Sequence, residues 1–170
     1  GTKSKHAIVG DSTVIDTDTK NITGFNIIGK NCRIAKGAII SNSVIGDNCE
    51  IREGGIVSNS IVWQNVIIGT RAELSQAVVG NKCAVGDEAI IAENVFVSDS
   101  CYIGKKSKLL ANIKIWPEKT IEDGSIVTRS MVWEDRWLRE LFVTDSRITG
   151  LSNVEMNPEF GAKIGAAFGA

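Results

Sequence analysis

Few residues in this chain carry groups suited to catalysis or metal binding. The candidates are four cysteines (Cys32, Cys49, Cys83 and Cys101), a single histidine, His6, and one D-x-D, Asp16-Thr17-Asp18. Structural zinc needs a tetrahedron of thiolates or imidazoles, usually supplied by closely spaced CxxC pairs. The cysteines here are separated by 17, 34 and 18 residues, with no CxxC pair. Such intervals suit a column of residues on successive repeats, which gives a ladder of thiols rather than a tetrahedron. They read as small buried hydrophobes. A histidine can act as a general base toward a hydroxyl or amine. His6, however, lies in a terminal stretch before Ala7 that is given no structural weight. The D-x-D sits in a turn-like setting without a third ligand nearby, so a solvated corner is expected. No residue is nominated as catalytic, cofactor-binding or metal-ligating.

The elements that must position these residues follow from a hexad. An aliphatic residue returns every six positions from Ile22 to Val127, with steps of five at 40 to 45, 57 to 62 and 74 to 79. Upstream, Val9 and Ile15 belong to the same series, with a step of seven from 15 to 22. Gly24 to Ile40, Ser41 to Val57, Ser58 to Leu74 and Ser75 to Ile91 are four copies of one 17-residue unit. Helices need apolar residues at three- and four-residue spacing, and hairpin sheets need alternation with regular turn signals; neither fits. A short strand and a corner, three to a turn, does fit. Isoleucine and valine at most key positions favour strands, and glycines such as Gly29, Gly46 and Gly69 suit corners. The residue two before each key aliphatic is often small, as at Cys32, Ala38, Ala72 and Ala89, and in a strand it shares the inward face. The expected fold is all-β: a parallel β-helix of triangular section with about six or seven coils.

Composition excludes several partner classes. The net charge is -1, which leaves no electrostatic footprint for nucleic acid. No apolar run reaches the eighteen or so residues that span a bilayer, and no signal-peptide plan is present. A soluble, cytoplasmic protein without membrane partners is expected.

Repeats such as Ser43-Val44-Ile45-Gly46-Asp47-Asn48-Cys49-Glu50-Ile51 resemble the left-handed β-helix appended to sugar-phosphate nucleotidyltransferases. The general rule for parallel crossovers favours a right-handed coil. Left-handedness is therefore carried by the resemblance alone. Lys114-Ile115-Trp116-Pro117-Glu118-Lys119-Thr120-Ile121 is similar to the closing coil of bacterial mannose-1-phosphate guanylyltransferase-like proteins fused to a phosphohexomutase. Beyond it, Trp133, Trp137, Leu138, Leu141 and Phe142 fall at helical spacing within Met131 to Phe142, and a short helix there would cover the open end of the coil. Ser146 to Ala170 resembles the very beginning of a phosphohexomutase, with Asn157 as helix N-cap and Pro158 at the first helical position. Thr149 stands where that family's loop carries arginine, a departure that bears against phosphosugar handling there.

The resemblance implies two parts: residues 1–128 as the β-helix domain, and residues 129–170 as a capping helix with the truncated start of a phosphohexomutase-like domain. It implies a parent that transfers a nucleotidyl group to a hexose 1-phosphate, most consistent with guanylyl transfer to mannose 1-phosphate, with release of pyrophosphate and use of Mg²⁺. The glycine-rich loop and carboxylates for that chemistry are not in this sequence, so the chain itself is expected to need no cofactor, to be inactive and to serve assembly or regulation of an absent N-terminal nucleotidyltransferase domain. The alternative is a hexapeptide-repeat acyltransferase using acyl-CoA, which would want a histidine on a coil. Trp63 and Trp116 follow key aliphatics, so alternation points them outward, and broad flat faces with the C-terminal helix suit a homo-oligomer.

Overall fold

The computed structural model describes residues 3–4 and 7–132. From Ala7 to Val127 the chain winds as a parallel β-helix whose two- and three-residue strands fall into three sheets, the sides of a triangular prism. Ala7–Val9, Asn26–Ile28, Val44–Ile45, Ile61–Val62, Val78–Val79, Phe96–Val97 and Lys114–Ile115 form the first face, in seven coils. The second face runs from Val14–Ile15 to Thr120–Ile121 and the third from Ile22–Thr23 to Ile126–Val127.

The register explains the step lengths. Val44, Ile61 and Val78 lie in line on the first face at 17-residue intervals, and Phe96 and Lys114 continue it at 18. A step of five therefore marks each corner from the third face into the first in the 17-residue coils. The seven-residue step from Ile15 to Ile22 is taken up by a 3-10 turn at Thr19–Asn21. Every key aliphatic from Ile22 to Ile121 is buried, and from Ile28 onward they form one continuous core with small residues two positions before them. Four of those second positions are buried and polar: Ser107, which donates to the Gly104 carbonyl at 2.6 Å, and the first-face trio Asn26, Ser43 and Ser60. Stacked on successive coils, the trio's side chains accept from the backbone N–H of Ser43 (2.8 Å), Ser60 (3.1 Å) and Ala77 (3.1 Å). A buried donor paired this way avoids the penalty of an orphaned group.

Two expectations meet the structure at its ends. Lys3–Ser4, given no structural weight from sequence, forms a strand antiparallel to Ala7–Val9. Pairing there occupies the exposed edge of the first sheet. Met131, the first residue of the expected capping helix, makes a parallel bridge with Ile115. Residues 133–142 of that expected helix and the phosphohexomutase-like segment lie outside the described residues. No helix among the described residues is long and apolar enough to cross a membrane.

Candidate functional site

The four cysteines stack as the spacing predicts. Each precedes a strand of the second face, and all four are buried inside the prism. Val66 occupies the same slot one coil beyond Cys49, which splits the column into two pairs, Cys32 with Cys49 and Cys83 with Cys101. Each thiol donates to a main-chain oxygen: Cys32 to Gly46 at 3.0 Å, Cys49 to Trp63 at 2.8 Å, Cys83 to Ser98 at 3.0 Å and Cys101 to Trp116 at 3.1 Å. The column thus serves as core with satisfied thiols.

Within each pair the two thiols titrate unequally. The contact with Cys49 holds the Cys32 thiol down to about 7, and the contact with Cys83 does the same for Cys101. Cys49 and Cys83 are pushed well above the usual thiol range, first by that same neighbour and then by burial. Within each pair, one thiol thus gives up its proton more readily than an ordinary cysteine and the other less readily.

Four aspartates are committed to the corners. Oδ1 of Asp47, Asp87, Asp99 and Asp123 accepts, each at 2.8 Å, from the backbone N–H of Lys30, Thr70, Asn81 and Lys105 one coil earlier. At the D-x-D, Asp16 and Asp18 are exposed, Asp18 lies 3.4 Å from Lys20, and the intervening Thr17 is buried and donates to the Ala38 carbonyl at 2.8 Å. Among the described residues no three His, Cys, Asp or Glu side chains gather as a metal-holding group. His6 lies outside the described residues.

What the described prism presents outward is more distinctive. Trp63 and Trp116 are 51% and 49% exposed, as their alternation predicts. Sequence reasoning missed the ladder beside them: Ile8, Ile27, Val44, Ile61, Val78 and Phe96 stand in register on six successive rungs of the first face and point out. The signal was present, since each directly precedes a buried key aliphatic or, for Ile8, the half-buried Val9. The other two faces break their outward ladders with charge, at Arg33 and Glu50 on the second and at Glu73 and Lys108 on the third.

Comparison with known structures supports this architecture. The chain is similar to the UDP-N-acetylglucosamine acyltransferase of Campylobacter jejuni, at 18% identity and a TM-score of 0.56 over 76% of this chain and 66% of that one. It is similar to the UDP-N-acetylglucosamine O-acyltransferase of Moraxella catarrhalis, at 15% identity and a TM-score of 0.54 over 92% and 93% of the two chains. The Francisella novicida UDP-N-acetylglucosamine acyltransferase gives 15% identity and 0.53, and the chain spans 59% of its length. These likenesses establish the hexapeptide-repeat transferase fold and no more. No curated protein matches the chain in sequence. A family described as the EIF2B subunit epsilon LbH domain, a left-handed β-helix, matches residues 5–109, well over half of the chain. The coil is accordingly left-handed, against the general crossover rule, and the chain belongs to the family of the EIF2B subunit epsilon LbH domain.

Proposed function

We propose that this chain is the assembly or regulatory β-helix portion of a sugar-phosphate nucleotidyltransferase, with guanylyl transfer to mannose 1-phosphate as the parent reaction. The observation that carries the non-catalytic role is the unbroken coil: from Ala7 to Val127 no long loop leaves the prism, and the sequence holds no histidine there. A rod of this kind positions other domains rather than reacting. The parent reaction itself rests on the resemblance of the Lys114 to Ile121 closing coil and of the segment after Leu141. Mg²⁺ would neutralise nucleotide phosphates in that reaction, and the described residues offer no ligand set for it. Its site belongs with an N-terminal nucleotidyltransferase domain, the intended partner of this rod, with further copies of the chain as a second partner.

The expected result of incubating the 170-residue protein with GTP, mannose 1-phosphate and Mg²⁺ is no pyrophosphate above blank. Turnover would overturn the non-catalytic role. A second reading, acyl transfer from acyl-CoA, is favoured by the fold shared with the acyltransferases above. It predicts a heat of binding when acyl-CoA is titrated into the protein, whereas the rod predicts none.

A further inference from the structure

The geometry points to a second copy of this chain, packed antiparallel across a two-fold axis, as the occupant of the first face. This deepens the assembly role proposed above and rests on it only for the premise that the rod associates. The argument begins with the outward ladder of Ile8, Ile27, Val44, Ile61, Val78 and Phe96, six rungs without a charge, ended by Lys114 on the seventh. Contiguous apolar surface of this kind marks an interaction site on a soluble protein.

Its centre falls between the rungs of Val44 and Ile61. An isologous contact brings one patch against itself reversed. Reversal about that centre sets Val44 against Ile61, Ile27 against Val78 and Ile8 against Phe96, so every apolar rung meets another, and Lys114 on the seventh rung falls opposite the edge strand Lys3–Ser4 of the other copy. The edge of the face makes the same register independently favourable. Along the corner that follows the inward aliphatics stand Gly29, Gly46, Trp63, Gly80 and Ser98, in line. Trp63 is a large, half-exposed side chain between Gly46 and Gly80 along that line. The reversal that pairs the six rungs also sets Trp63 opposite Gly46, which carries no side chain, and does so twice. Large aromatics seated in this way dominate interface energetics.

Size is consistent with a pair. Six rungs at about 4.8 Å cover about 29 Å, and a side of six residues at about 3.3 Å covers about 20 Å. The two copies together then bury about 1,200 Å², the lower end of specific interfaces and enough for a concentration-dependent dimer.

The test uses the whole chain. Light scattering across a concentration series should show a monomer converting to a dimer. Ile61→Glu should raise the dissociation constant about 30-fold or more, since it sets a charge at the centre of the contact. Its side chain points away from the core, so the thermal midpoint should hold, and Trp63→Ala gives a second reading that introduces no charge. Register is read by Ile8→Cys/Phe96→Cys with a short bis-maleimide, because these rungs lie far apart within one chain and meet only across the axis. The native cysteines are buried and do not compete. A monomer at every concentration overturns the proposal. So does a dimer that survives both Ile61→Glu and Trp63→Ala, which would leave the assembly role standing on another face. A dimer cross-linked by Ile8→Cys alone is parallel and also overturns it.

Discussion

The first and third faces of the prism share one backbone plan, and their central outward rungs differ in charge at two positions. On the third face the outward series reads Ile39, Ile56, Glu73, Ile90, Lys108 and Ile126, as apolar as the first apart from one acid and one base. Behind both faces the inward residues are the same buried isoleucines, valines and leucines. The difference teaches that fold and recognition are written on alternate residues of the same strands. Inward positions set the coil, and a comparison of folds reads only those. Outward positions decide what the rod can touch, and on the third face an acid and a base interrupt the apolar series.

The sharpest way to break this division is to truncate neighbours that differ only in direction. Ile45 is 1% exposed and Val44 is 40% exposed, in one strand of the first face. Ile45→Ala should lower unfolding free energy by about 2–5 kcal/mol, the cost of a cavity in a stacked core. Val44→Ala should change it by about 0.5 kcal/mol or less in the monomer. Urea midpoints measured at low protein concentration check both, and equal losses would mean that alternation does not partition the strand.

Legibility in the sequence followed the same line. The hexad exposed the inward residues because a prism repeats one distance many times, and the cysteine column fell out of that arithmetic before any coordinates. The outward ladder was equally periodic, but isoleucine beside isoleucine, as at Ile27 and Ile28, hides alternation from a reading that seeks apolar against polar. Only tryptophan stood out. Asn26, Ser43 and Ser60 were opaque for another reason: a polar residue at an inward slot reads as a break until its backbone partner on the next coil is seen. Handedness is a property of how corners close, and no spacing encodes it.

The second face sharpens the inward half of the comparison, because its column carries titrating groups. In each cysteine pair one thiol is held down to about 7 and the other is raised. Below that pH both folded and unfolded chains keep every thiol proton. From there to about 8.5, where free thiols titrate, the folded pair has released one proton and the unfolded chain none. Stability rises with pH in that window. Above about 8.5 the unfolded chain releases both protons while Cys49 and Cys83 keep theirs, and stability falls. Each limb should have a slope of about 1.4 kcal/mol per pH unit per pair. Chemical denaturation under reducing conditions between pH 6 and 10 should trace a maximum near 8.5 that flattens in Cys49→Ala/Cys83→Ala. A profile in the native protein without that maximum would show that the two thiols of each pair are not shifted in opposite directions.

The smallest change in stability accompanies the most direct exchange of identity between faces. Glu73→Ile with Lys108→Ile would give the third face an unbroken outward ladder, at positions that make no contact with the core. Surface replacements of this type shift unfolding free energy by about 0.5 kcal/mol or less. Association should respond far more, because a rod with two apolar faces has two places to dock and nothing to close the assembly. Light scattering should then show masses beyond a dimer, growing with concentration. Should the doubly substituted chain keep the oligomeric state of its parent, outward apolarity alone would not define a docking face, and Trp63 with its flanking glycines, which the third face lacks, would have to supply the difference.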